Sequence, residues 1–216
     1  MFIKTANFLG SFTKIDQCPG PDRPEYAFIG RSNVGKSSLV NLLTNNKGLA
    51  KVSQTPGKTQ HINVFNMEES WYLVDLPGFG YAKTSKTNRA KWDVMIRNYL
   101  QERQNLCCVF VLVDSRIPPQ KIDLEFMNWL GANGIPFVVV LTKADKPKAN
   151  ELAKSFAAIK KAILATFEAA PQMFITSSVN KKGQQEIIDF IHQVNENYNC
   201  HLILFSNHSV SICLIY

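Results

Sequence analysis

The segment that most constrains this chain is Gly30-Arg31-Ser32-Asn33-Val34-Gly35-Lys36-Ser37, two glycines with four residues between them and Lys-Ser directly after. A short apolar strand, Glu25–Gly30, precedes it, and a helix reaching to about Asn45 follows. That setting is the one in which such a loop binds phosphate. Its glycines let backbone N–H groups turn inward around a β-phosphate, and the helix N-terminus adds its dipole. Lys36 places a point charge on the β/γ oxygens, and the Ser37 hydroxyl is a Mg²⁺ ligand. The bland alternative, an ordinary glycine turn, has little to recommend it between a strand and a helix.

A strand–loop–helix start commits the rest of the chain to alternation, and the hydrophobic pattern delivers it. Residues 62–67 and 71–76 read as a hairpin pair around Glu68-Glu69-Ser70. Residues 85–102 place Trp92, Met95, Ile96, Tyr99 and Leu100 at helical spacing. The continuous apolar runs at 107–114 and 136–142 are the signature of strands covered on both faces. Helices are expected at Lys121–Ala132, 147–169 and 184–197, with a last strand at 173–177. The fold class is therefore α/β, a mostly parallel sheet with helices on both faces and one antiparallel edge strand from the hairpin. The 216 residues suit one domain. Residues 1–23, ending in a proline-rich turn, read as an N-terminal extension, 24–199 as the domain, and 200–216 as an apolar tail.

Composition sets broad limits. An apolar share of 45% with 19% charged residues is that of a soluble globular chain. The net charge of +7 is compatible with a phosphate-rich partner such as RNA, and equally with a solvated basic surface. Five irregularly spaced cysteines, with no metal-ligand spacing, suit a reducing cytoplasm. No apolar run approaches the ~18 residues of a membrane helix.

Two further strand ends carry chemistry. Asp75-Leu76-Pro77-Gly78 closes a strand; Asp75 can hold Mg²⁺ through water, and the Gly78 N–H can meet a γ-phosphate oxygen. Thr142-Lys143-Ala144-Asp145 closes the strand at 136–142. The Asp145 carboxylate can accept from guanine N1–H and the 2-amino group, donors that adenine lacks, while the Lys143 stem lies along the base. Loops that bind a base belong at the carboxyl ends of parallel strands. Thr176-Ser177-Ser178, at the last strand end, can touch the guanine O6 edge and gains meaning only from its place in this order.

Taken together, these segments resemble the EngB family of bacterial Ras-like P-loop GTPases, among the Era-related translation GTPases. The resemblance spans residues 24–198 and rests on GRSNVGKSS at 30–38, TPGKT at 55–59, DLPGFGYA at 75–82, KIDLEFMNWL at 121–130, TKAD at 142–145 and TSS at 176–178. It implies a Ras-like G domain that binds GTP and GDP and hydrolyses GTP. Gly57, Lys58, Thr59, Gln60 and His61 become the first switch, with Thr59 as a second Mg²⁺ ligand beside Ser37. Lys36, Thr59 and Gly78 are the expected catalytic residues. The family is associated with assembly of the large ribosomal subunit, and with cell division and septation. A monomer is the expected state.

Phe79 stands where Ras-type enzymes carry the glutamine that orients water, and a phenyl ring cannot do that work. Slow hydrolysis is expected, calling for a partner, a water chain or a cation; Phe79 itself is expected to pack. In some related GTPases an asparagine at the place of Asn33 helps bind K⁺ beside the phosphates, which the resemblance extends to this chain as an expectation; the alternative is that Asn33 braces the loop. Lys83, Lys86, Arg89, Lys91 and Arg97 flank the second switch and lean towards RNA contact. Lys146, Lys148, Lys154, Lys160 and Lys161 read as a solvated helix face. Two competing functions stay open: a nucleotide-gated division scaffold, and a P-loop kinase for a small molecule, against which TKAD argues. The tail at 200–216 has no Asp, Glu, Lys or Arg and its β-branched content suggests a hairpin.

Overall fold

The computed structural model describes residues 3–51, 61–79 and 86–205, with side chains for all of these except 86–89, 91 and 199–205. Seven strands form one sheet: β1 (Ala6–Phe12), β2 (Glu25–Gly30), β3 (Ile62–Met67), β4 (Trp71–Asp75), β5 (Leu106–Asp114), β6 (Phe137–Thr142) and β7 (Met173–Ile175). Their order is β1-β3-β4-β2-β5-β6-β7. Five helices accompany them: α1 (Lys36–Leu43), α2 (Lys86–Glu102), α3 (Lys121–Ala132), α4 (Ala149–Ile163) and α5 (Gln184–Phe205).

The two-faced apolar strands build two core layers. Phe28, Phe110, Leu112 and Val140 face Leu39, Leu43, Ile187 and Ile191 of α1 and α5. On the other face, Ile29, Val111, Val113 and Leu141 meet Ile96, Tyr99, Phe126, Leu130 and Ile159 of α2, α3 and α4. Every residue of β2 and β4 is buried, which is why these runs show no polar alternation. The parallel pairings β4·β2, β2·β5, β5·β6 and β6·β7 bring their carboxyl ends to one edge of the sheet.

Three expectations are corrected. The antiparallel strand from the hairpin is β3, but it is not at the edge, because β1 pairs with it from Ala6↔Met67 to Phe12↔Ile62. The N-terminal extension is thus partly sheet, and it is fixed further by Arg23, whose Nη1 donates to the Glu69 carbonyl at 2.8 Å. Helix α4 ends at Ile163 rather than near 169; Phe167 folds back so that its ring lies 5.6 Å from that of Phe137. Helix α5 runs to Phe205, past the expected end at 197 and into the tail. No Gly or Pro interrupts 184–205, and extending an existing helix adds a hydrogen bond per residue without a new nucleus, so the helix continues through the first apolar run of the tail, 201–205. Residues 206–216 lie outside the described residues.

Candidate functional site

The phosphate loop leaves β2 at Gly30 and enters α1 at Lys36. Gly35 takes φ +119°, a left-handed conformation that L side chains rarely adopt, and so lets the chain turn into the helix. Within the loop the Val34 N–H donates to the Arg31 carbonyl at 3.2 Å, which holds the tight turn. Lys36 is buried and its Nζ donates to the Gly30 carbonyl at 3.4 Å. Burial pushes its amine below the ordinary lysine value, against the pull of Asp75. Ser37 Oγ donates to Asp75 Oδ2 at 3.1 Å, whereas Asp75 Oδ1 is buried with no partner among the described residues. Burial raises the Asp75 carboxyl, opposed by Lys36 and Ser37. A serine hydroxyl beside a carboxylate is an oxygen donor set whose chemistry fits Mg²⁺.

Leu76 is fully buried, and its N–H donates to the Phe28 carbonyl at 3.0 Å. Gly78 follows Pro77 and lies hard against the loop: a Cβ there would come within 2.9 Å of Ser32 N and 3.0 Å of Lys36 Nζ. Only glycine permits that approach. Phe79 stacks on Phe126 with ring centroids 5.0 Å apart, the packing role expected of it.

At the neighbouring strand ends, Thr142 Oγ1 donates to the Val34 carbonyl at 2.6 Å, and Lys143 Nζ to the Asn33 carbonyl at 2.7 Å. Two successive side chains of the base loop thereby tie it to the phosphate loop. Asp145 Oδ1 accepts from Ser177 Oγ at 2.7 Å, with Lys146 Nζ 3.3 Å from Oδ2. Burial works to raise this carboxyl, but Ser177 and Lys146 outweigh it and hold it below the usual range, ionised and ready to accept. The Ala144 N–H donates to the Thr176 carbonyl at 3.0 Å, which joins the TKAD and TSS segments. A cavity of about 210 Å³ opens here, lined by Gly35, Thr142, Lys143, Asp145, Thr176 and Ser178 among others. The phosphate loop, Asp75–Gly78, the TKAD segment and the TSS segment are thus assembled at one edge of the sheet. His61 is exposed just before β3, while Gly57, Lys58, Thr59 and Gln60 lie outside the described residues.

Asp114 and Asp123 escaped the sequence reading. Asp114, at the end of β5, accepts from Lys143 Nζ at 2.9 Å and from Arg116 Nη2 at 2.7 Å. Its only sequence signal is a carboxylate closing a buried strand on the same edge as TKAD. Of the basic residues flanking the second switch, Arg97 is engaged with Asp93 and the face of Trp129. The α4 set, including Lys154, Lys160 and Lys161, is exposed. Among the described residues no helix is long and apolar enough to cross a membrane.

This fold and this edge define a P-loop GTPase. Residues 25–143 match the family described as 50S ribosome-binding GTPase. A GTP-binding protein EngB of Porphyromonas gingivalis is 54% identical over 196 residues, covering 91% of this chain and 98% of that protein. The chain belongs to the EngB family of GTP-binding proteins. Among solved structures, a crystal structure of an engB GTP-binding protein shares the fold with TM-score 0.64 at 24% identity, covering 80% of this chain and 99% of that one. Era in complex with MgGDPNP and nucleotides 1506–1542 of 16S ribosomal RNA does so with TM-score 0.63 at 21% identity, over 79% of this chain and 56% of that one. Family membership removes the small-molecule kinase from consideration.

Proposed function

We propose that this GTPase is a slow, Mg²⁺-dependent, monomeric switch of the cytoplasm that acts on the large ribosomal subunit during its assembly. The observation that carries the switch chemistry is the buried Asp75 carboxylate, with one oxygen on Ser37 and the other without a partner among the described residues. Ser37 and Asp75 would hold Mg²⁺ there, and the ion would supply positive charge to offset the charge that develops on the phosphates. The backbone of residues 30–37 wraps the phosphates, Lys36 supplies the fixed positive charge, Gly78 meets the γ-phosphate and Thr59 completes the metal's ligands. Asp145, braced by Ser177, reads guanine, while Lys143, Ala144, Thr176 and Ser178 frame the base. Phe79 offers no group to orient water, so hydrolysis should be slow without a partner, a water chain or a cation; K⁺ beside Asn33 would be one such cation, and bracing of the loop by Asn33 is the alternative reading.

The ribosomal role draws support from the family's description as 50S-binding and from the fold shared with Era, whose solved complex contains ribosomal RNA. Co-sedimentation of the full chain with large subunits tests it. GDPNP should hold the protein on the particle and GDP should release it; equal sedimentation with either nucleotide, or none with both, would sink the proposal. Guanine selectivity is checked separately. Asp145→Asn should lower GTP affinity about 100-fold and raise that for xanthosine triphosphate, because a site left with an unpaired buried group rejects its former ligand strongly. Unchanged GTP binding by titration would remove Asp145 as the base reader.

A further inference from the structure

The stretch at 121–130 has no task in nucleotide binding so far, yet it grips the two segments that meet the phosphates. Asp123, in the first turn of α3, is 3% exposed. Its two carboxylate oxygens lie 3.2 and 3.1 Å from Arg31 Nε, and Arg31 is the residue directly after the phosphate loop's leading glycine. Arg31 is also where that loop pairs with the second switch, through a parallel bridge to Phe79. The Phe79 N–H donates to the Gly30 carbonyl at 3.3 Å, and the Ser32 N–H to the Phe79 carbonyl at 3.4 Å. Phe79 then stacks on Phe126, three residues and about one turn along α3 from Asp123. One helix therefore holds both partners of this bridge, one by an ion pair and the other by an aromatic stack. The line of contacts continues outward, with Phe126 5.8 Å from Trp129 and Arg97 of α2 4.4 Å above the Trp129 ring.

We infer that Asp123 and Phe126 are positioning residues for the GTP state, which together hold Arg31 and Phe79 so that Gly78 stays pressed against the phosphate loop. Gly78 directly precedes Phe79, so whatever fixes Phe79 fixes the Gly78 N–H. Fixing it in advance spares the ordering cost when a γ-phosphate arrives. GDP has no γ-phosphate and gains nothing from the arrangement. Only such a difference in affinity lets a contact remote from the nucleotide favour one state over the other. The inference rests on the reading of Gly78 as the γ-phosphate contact.

Asp123→Asn keeps the shape and removes the charge. Burial has already raised this carboxyl to about 6, against the pull of Arg31, so the neutral form is close at hand and the fold should survive. The variant should bind GDPNP about tenfold more weakly and GDP within about twofold of the parent, with the change seen in KM for GTP more than in kcat. Phe126→Leu should act in the same direction, and should also diminish the change in Trp129 emission on exchanging GDP for GDPNP, the Trp129 share being defined by Trp129→Phe. In an Arg31→Met background, Asp123→Asn should add less than a further twofold. Equal losses for GDP and GDPNP, or factors that simply multiply in the double variant, would overturn the inference. Gly78→Ala separates the underlying reading: a selective loss of GDPNP affinity supports it, and unchanged GDPNP binding would overturn that reading and the inference with it.

Discussion

The two ends of β2 both carry buried ionisable groups, and they treat them in opposite ways. At the amino end, Glu25 is fully buried and accepts from Tyr99 Oη at 2.6 Å, Arg103 Nη2 at 2.8 Å and Arg103 Nε at 3.0 Å. Arg103 Nη2 reaches onward to the Pro19 carbonyl at 2.8 Å, which pins the N-terminal segment to the end of α2. At the carboxyl end, Lys36 has a 3.4 Å contact to a carbonyl, and one oxygen of Asp75 has no partner among the described residues. Burying charge is costly wherever it occurs. The amino end offsets that cost within the protein, so its charges are structure. The carboxyl end leaves it standing, so its charges are completed by something that binds. A buried charge without full satisfaction is the mark of a site.

Breaking the satisfied end should have the larger effect. Arg103→Met leaves Glu25 buried with only Tyr99 and should destabilise the fold by about 3–5 kcal/mol, the range for removing one partner of a buried pair. Urea unfolding reads this directly, and the folded fraction should bind GTP as the parent does. A loss below 1 kcal/mol would show that the pair contributes as little as an exposed one. The opposite end should respond in the opposite manner. Asp75→Asn should leave the nucleotide-free protein within about 1 kcal/mol of the parent. Its Mg²⁺-dependent GTP binding should fall at least about tenfold, which corresponds to about 1.4 kcal/mol. If Asp75→Asn instead cost as much stability as Arg103→Met, the two ends would not differ in kind.

The same contrast explains what could be read from the sequence. The carboxyl-end site was legible because its geometry is local: glycine spacing sets the loop, and strand ends place Asp75, Asp145 and Ser177 on one edge. The satisfied end was not. Glu25 and Arg103 are separated by 78 positions, and nothing near either names the other. Arg31 and Asp123 are 92 apart and were hidden in the same way. Strand β1 escaped because ANFLGSF has a weak alternation and a bulge between Phe8 and Gly10, and its partner β3 lies some fifty residues on. The parallel strands were clear because burial on both faces writes itself as an unbroken apolar run. In the tail, 201–205 reads as one arm of a hairpin, but helix propagation carries α5 through it, and 210–216 lie outside the described residues. Phe79 could be read as a packing residue, but not its seat on Phe126.

Asp123 is intermediate in kind, for it is buried and paired, yet its one side-chain partner among the described residues, Arg31, does not fully offset its burial. Its carboxyl is raised from 3.8 to about 6 by burial, with Arg31 acting to lower it. A raised acid binds its proton more tightly in the folded chain. Its contribution to stability is therefore fully present below about pH 3.8 and is lost as the pH rises through about 6. Arg31 faces it from the phosphate loop, and Asp114 lines the same small cavity. A tenfold step in proton affinity corresponds to about 1.4 kcal/mol, and the side chain of Arg31, about a quarter exposed, admits water that lowers the realised effect. The stability difference between the parent and Asp123→Asn should thus shift by about 1 kcal/mol against the parent between pH 4 and pH 6.5. Asparagine carries no titrating proton, so its own profile lacks this component. Urea melts of the nucleotide-free proteins at half-unit pH intervals would resolve the change. Parallel profiles would mean that Arg31 satisfies Asp123 as fully as Arg103 satisfies Glu25, and would move Asp123 to the structural side of the comparison.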